Sequence, residues 1–293
     1  MKHRQAILAA VLVALSLGGC AQEDAGPGGQ SAKIKITVSI LPLAFLAERI
    51  GGDRVAVHVL VGPGQSPHTY EPTPHQMADF EQTRLFVLAG VPYEAGLVPR
   101  LRAAFPSLQY FSIGDDSAGA GNVHDHREAH NNLDPHAWLD PREAEQEAER
   151  LALRLEQIAP TDSVYFAANL EMLRTDLSSL DSQLTAIFSD IPRKRFYVYH
   201  PAYGWLAERY GLEQIAIEAD GKEPSPSQLA DIIERARRDS THTIFVQQQT
   251  APPSAKAVAE AINARVMTID PLSRDYIENL RALALAIATE LRR

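Results

Sequence analysis

Over most of this chain, short apolar runs alternate with stretches whose apolar residues recur at helical spacing. Lys33 to Ile40 is rich in Ile and Val and reads as a first strand, ending at Leu41-Pro42. Leu43 to Ile50 follows with a helical period and stops at Gly51-Gly52. Val55 to Val61, Leu85 to Ala89 and Leu108 to Ile113 read as further strands, with helices around Pro74 to Gln82 and from Val98 to Phe105. The same alternation returns late in the chain. Phe196–Tyr199, Gln214–Glu218, Thr243–Gln247 and Val266–Ile269 read as strands. Tyr203–Tyr210, Ser227–Arg238, Pro253–Ile262 and Asp275–Leu291 read as helices. Strand–helix alternation is the sequence form of a mainly parallel sheet flanked by helices.

Between the two alternating regions the pattern is purely helical. Pro141 to Ile158 has a proline suited to a first turn and acids near its start. Pro160-Thr161-Asp162 ends it and caps a second helix, Ser163 to Ser189, with Val164, Phe166, Leu170, Leu173, Leu177, Leu180, Leu184 and Ile187 mostly three or four apart. At about 1.5 Å per residue such a helix reaches on the order of 40 Å, enough to run the length of two lobes. The expected fold is therefore α/β, with two lobes joined by one long rigid helix. The expected division is an N-terminal lobe over 33–160, the linking helix over 161–190 and a C-terminal lobe over 191–293.

The first 32 residues fit neither lobe. Lys2, His3 and Arg4 precede the apolar run Ala6 to Leu17, which is too short to span a bilayer comfortably and leads to Gly18-Gly19-Cys20. Residues 1–19 thus read as a signal peptide and 20–32 as a flexible tether. Cys20 is the single cysteine of the chain, and the residues before it resemble the lipobox of bacterial lipoproteins, in which the cysteine is the lipid anchor. The expected location is exported, on the periplasmic or cell-surface side, held to a membrane. The net charge of −9, without any Lys/Arg-rich run, argues against a nucleic-acid partner.

Chemistry-bearing residues concentrate where loops meet strand ends. His124, His126 and His130 lie in a polar, aperiodic segment after Gly119 and Gly121 and read as an accessory metal-capture loop. His136 is flanked by Asp134-Pro135 and Asp140-Pro141, whose prolines hold the backbone extended and stiff. His68 follows the second strand between Pro67 and Pro72, His200 follows the strand ending at Tyr199, and Asp270 follows the strand ending at Ile269. All four fall at or near strand carboxyl ends, where open α/β sheets place ligands, and two come from each lobe. Three imidazoles and a carboxylate form a tetrahedral set of the kind zinc accepts.

Pro67-His68-Thr69-Tyr70-Glu71-Pro72, Asp134-Pro135-His136-Ala137-Trp138-Leu139-Asp140-Pro141, His200-Pro201-Ala202-Tyr203-Gly204-Trp205, Gly221-Lys222-Glu223-Pro224-Ser225 and Asp270-Pro271-Leu272 occur in this order. Together they resemble the metal-binding solute-binding proteins of bacterial zinc and manganese ABC transporters, the ZnuA/TroA-like family. The resemblance spans Lys33 to the C-terminus. It implies a metal held in the cleft between lobes by His68, His136, His200 and Asp270, and hand-over to a membrane permease with a cytoplasmic ATPase, by a monomer that is not an enzyme. Manganese-type members tend to carry a carboxylate where His200 stands, so a third imidazole points to Zn²⁺ over Mn²⁺. Gln247-Gln248-Gln249 stands where many relatives carry an acid, and Glu71 reads as a polar loop residue. Two other classes are a surface adhesin on the same fold and a zinc hydrolase; Asp270 fills the position a hydrolase would leave for water, and no His-Glu-x-x-His helix is present.

Overall fold

Ile34–Val38 (β1) lies between Val55–Val59 (β2) and Leu85–Leu88 (β3), and β3 pairs on its far side with Gln109–Ser112 (β4). All three pairings are parallel, giving the order β2-β1-β3-β4. The second sheet repeats that plan. Arg195–Val198 (β5) lies between Glu213–Ala216 (β6) and Thr243–Gln247 (β7), and β7 pairs with Arg265–Ile269 (β8), again all parallel, in the order β6-β5-β7-β8. The computed structural model describes residues 32–114, 134–218, 221–249 and 253–293. Cys20, His124, His126 and His130, with the signal and nearly all of the tether, lie outside the described residues.

Both sheets are covered on both faces, as parallel sheets are. Alternation along β5 divides its side chains: Phe196 and Val198 enter the main core, while Tyr197 and Tyr199 pack with Ile215, Ile244 and Val246 beneath Pro226–Arg238 and Pro253–Ile262. In the first lobe, Phe86 and Leu88 likewise turn from the main core toward Phe80, Leu97 and Leu101. The main core is continuous across both lobes. It takes in Val38 and Val87 from the first sheet, Phe196 and Phe245 from the second, and a stripe from the long helix between them.

Nine α-helices are present among the described residues: Leu41–Gly51 (α1), Pro74–Asp79 (α2), Pro92–Ala104 (α3), Pro141–Ile158 (α4), Ser163–Phe188 (α5), Gly204–Arg209 (α6), Pro226–Arg238 (α7), Pro253–Ile262 (α8) and Tyr276–Leu291 (α9). The long helix is α5, and its Phe166, Leu173, Leu177, Leu180, Leu184 and Phe188 are all buried. α1 from the first lobe and α9 from the second both pack on it, so it serves as a shared spine. Two helices begin earlier than the pattern predicts. α1 starts at Leu41, with Pro42 accommodated in its first turn, where the missing N–H costs nothing. α3 starts at Pro92 rather than Val98 and carries Pro99 inside it. There, burial of Leu97 and Leu101, and Glu94 accepting from the Ala89 and Gly90 N–H groups at 2.9 Å each, outweigh one lost helical bond.

The lobes are also stitched together beside the cleft. Trp138 donates its indole N–H to the Pro271 carbonyl at 2.9 Å, and the Tyr276 hydroxyl donates to the Trp138 carbonyl at 2.6 Å. Trp205 donates to the Asp134 carbonyl at 3.1 Å.

Candidate metal centre

His200 stands two residues beyond β5, the strand from which neighbours depart in opposite directions. That is the switch point at which an open parallel sheet leaves a crevice at its carboxyl edge. Its ring is buried, and Nδ1 donates to Glu218 Oε1 at 2.6 Å, just past the end of β6. Its Nε2 is also buried, yet has no hydrogen-bond partner among the described residues. A buried polar atom without a partner is costly unless something else occupies its lone pair.

His136 is buried at the start of the tight turn Ala137–Leu139 that leads into α4. Asp134 holds it from two sides: Oδ1 accepts from the His136 backbone N–H at 3.0 Å and from Nδ1 at 2.7 Å. Burial depresses the His136 pKa further than Asp134 raises it, so the ring is neutral and Nε2 carries the free lone pair. Gly204, at the start of α6, sits against this pair: a Cβ there would lie 2.6 Å from Asp134 Oδ2.

His68 comes from the loop between β2 and α2, where its backbone N–H donates to Ser66 Oγ at 3.3 Å. As a residue it remains exposed, but its ring meets His200 edge-on, with centroids 4.6 Å apart. His136 meets His200 in the same way at 5.2 Å. Burial, followed by the neighbouring His200 and His136, pushes the His68 imidazole down to about 4. The three rings line one cleft of about 510 Å³ together with Asp134, Glu218 and Gln214. Sequence reasoning reached the three histidines but missed Asp134 and Glu218 as their supports. The spacing Asp-Pro-His was a signal for Asp134, whereas Glu218 was read only as the end of a strand.

Asp270 is placed differently. It follows β8 directly, as expected, but is not among the residues lining that cleft. Its Oδ1 accepts from the Leu272 N–H at 2.9 Å and from Gln249 Nε2 at 3.1 Å, and its carbonyl accepts from Asn279 at 2.6 Å. Among the described residues, no three His, Cys, Asp or Glu side chains are gathered in a finished metal-holding arrangement. The structure thus brings the three imidazoles together and leaves the carboxylate to one side. Glu71 is exposed and lines a separate depression with Tyr70 and Gln76.

Carboxylate-backed imidazoles facing a cleft between two like lobes define a metal-binding two-lobed protein. The chain belongs to the family described as ZnuA, zinc-uptake complex component A, periplasmic, which it matches over residues 36–290. That is a family of solute-binding proteins of ABC transporters, not of enzymes, so the resemblance read from the motifs and the non-enzymatic expectation both hold. The zinc-binding lipoprotein AdcA of Streptococcus pneumoniae (strain ATCC BAA-255 / R6) is 27% identical over 291 residues, covering 94% of this chain and 56% of AdcA. The chain thus spans about half the length of that curated relative. A crystal structure of ZnuA is 34% identical with a TM-score of 0.79, covering 88% of this chain and 99% of that one, and the expected fold class holds. The laminin-binding protein Lmb of Streptococcus agalactiae, described as bifunctional with adhesin and metal transporting activity, is 25% identical with a TM-score of 0.75, covering 88% of this chain and 99% of that one.

Proposed function

We propose that this protein captures Zn²⁺ in the cleft between its lobes and delivers it to the permease of an ABC importer. His68, His136 and His200 supply imidazole nitrogens, and Asp270 supplies the fourth, carboxylate ligand. The observation that carries this reading is the His200 ring: Nδ1 is fixed by Glu218, while the opposite nitrogen is buried, without a partner among the described residues, and flanked by two more imidazoles. Metal-ligating histidines are supported in this way, with a carboxylate on one nitrogen orienting the ring and making the other a better donor.

Three nitrogens and one oxygen suit Zn²⁺ better than Mn²⁺, which takes harder oxygen donors and more of them. The match to a zinc-uptake family and the zinc-binding relatives support the same metal. Under this reading the protein is exported, anchored through Cys20 and acts as a monomer, and His124, His126 and His130 raise the chance of capture by transient coordination. Among the described residues, no helix is long and apolar enough to cross a membrane. Competitive titration of the purified protein with Zn²⁺ and Mn²⁺, followed by elemental analysis, tests the assignment. One tightly held zinc per chain that excess manganese does not displace is expected. Preferential retention of manganese, or of neither metal, would overturn it.

A further inference from the structure

Taking Asp270 as the fourth ligand of the proposed zinc site, we propose that Gln249 is a positioning residue that restricts Asp270 to one metal-binding oxygen and so sets the preference for Zn²⁺ over Mn²⁺. The two carboxylate oxygens of Asp270 are not equivalent. Oδ1 accepts from the Leu272 N–H and from Gln249 Nε2, whereas no described residue donates a hydrogen bond to Oδ2. A carboxylate oxygen offers about two lone-pair directions, so both of those on Oδ1 are engaged and Oδ2 is the oxygen left for a cation.

The two donors differ in origin. Leu272 N–H belongs to the local turn that an Asp two residues earlier makes with its own backbone. Gln249 arrives from the neighbouring strand: Gln247 pairs with Ile269 in the β7–β8 ladder, which brings the chain after β7 alongside the chain after β8. With the Asp270 carbonyl tied to Asn279, the main chain is pinned as well, and Gln249 fixes how the carboxylate is turned on that base.

The state of the Gln249 amide supports a specific role. An ionised carboxylate only accepts, so the amide must present Nε2 to Asp270. Its Oε1 is then buried without a partner among the described residues. An amide held with one end satisfied and the other orphaned is oriented by the group it serves. A carboxylate at position 249 could not donate at all. The glutamine run 247–249, unexplained by sequence alone, thereby acquires a purpose at its last member.

The consequence for the metal is a matter of ligand count. One oxygen from Asp270 with three imidazoles closes a four-coordinate shell, which Zn²⁺ accepts. Chelation by both oxygens would raise the coordination number and the oxygen content, in the direction that favours Mn²⁺. Gln249 opposes this by occupying Oδ1.

The test compares the wild-type protein with Gln249→Met, which keeps the side-chain length without a donor, and with Gln249→Glu, which replaces the donor by a charge. Co²⁺ serves as the spectroscopic probe, and Zn²⁺/Mn²⁺ competition gives the preference. Wild type should show the intense visible bands of four-coordinate Co²⁺. Both variants should show weaker bands of higher-coordinate Co²⁺ and a Zn²⁺/Mn²⁺ preference lowered about tenfold, the scale on which groups supporting metal ligands act. Wild-type spectra and preference in both variants, with Asp270→Asn still weakening zinc binding, would overturn the role of Gln249 and leave the site standing. If Asp270→Asn binds zinc as wild type does, the fourth-ligand assignment itself falls, and the role of Gln249 falls with it.

Discussion

Glu218 and Asp134 do for the imidazoles what the imidazoles would do for the metal: they fix direction. Each accepts an Nδ1–H at 2.6–2.7 Å, leaving Nε2 as the outward donor. Removing either should weaken zinc binding without removing a ligand. Glu218→Gln keeps an acceptor but loses its charge, and a loss of roughly 10-fold is expected; Glu218→Ala should approach 100-fold. Competition against a zinc chelator measures both, and an unchanged affinity in Glu218→Ala would show that the ring needs no such support. The depressed His68 pKa has its own signature. Its folded value of about 4 lies below the ordinary 6.5, so between those pH values the unfolded chain binds the extra proton. The His68 contribution to metal-free stability is therefore complete above pH 6.5 and fades as pH falls toward 4. Asp140, whose carboxyl burial pushes up to about 6, acts with the opposite sign, so the informative quantity is a difference. Denaturation of wild type and His68→Gln across this range should show a shallower fall in the variant; parallel curves would contradict the shift.

At the level of elements, two of the proposed ligands, His200 and Asp270, stand where a strand stops, while His136 is set by a turn and His68 by the loop beyond β2. β5 delivers His200 to the switch point, β8 delivers Asp270, and the stiff Asp-Pro-His turn delivers His136 into α4. Those placements were legible in the sequence because a histidine or aspartate beside a proline at a strand end is a local pattern. The supports were not legible, since Glu218 reaches His200 from a different strand and Gln249 reaches Asp270 across the β7–β8 pair. The start of α3 was missed for a related reason: Pro99 is a local break signal, overridden by the tertiary burial of Leu97 and Leu101. Gly204 links element to site, because α6 can begin against Asp134 only if position 204 lacks a side chain. Gly204→Ala would place Cβ 2.6 Å from Asp134 Oδ2 and force that carboxylate to turn. Zinc affinity should fall about 10-fold with the fold retained by circular dichroism. Wild-type affinity in this variant would show that Asp134 can yield without releasing His136.

For the whole molecule, the decisive feature is that the core does not stop at the lobe boundary. One apolar cluster runs from the first sheet through α5 to the second, and indole and phenol hydrogen bonds join the lobes beside the cleft. Hinge closure needs a segment able to absorb large backbone rotations, and a packed 26-residue helix is a poor one. Metal loading should therefore involve small adjustments rather than wide closure of the lobes. Solution X-ray scattering of metal-free and zinc-loaded protein should give radii of gyration within about 1 Å of each other, as expected without wide hinge closure. A contraction of several ångströms would contradict a rigid spine.

The central claim is that three particular imidazoles share one zinc ion. Zinc K-edge absorption on protein loaded with one equivalent tests this most directly, since imidazole rings leave a recognisable outer-shell pattern. The wild-type spectrum should fit a four-coordinate shell of nitrogen and oxygen with three imidazoles and no sulfur, and His200→Ala should lose one imidazole. A wild-type shell made mostly of water or carboxylate oxygen, or a spectrum unchanged in His200→Ala, would contradict the account.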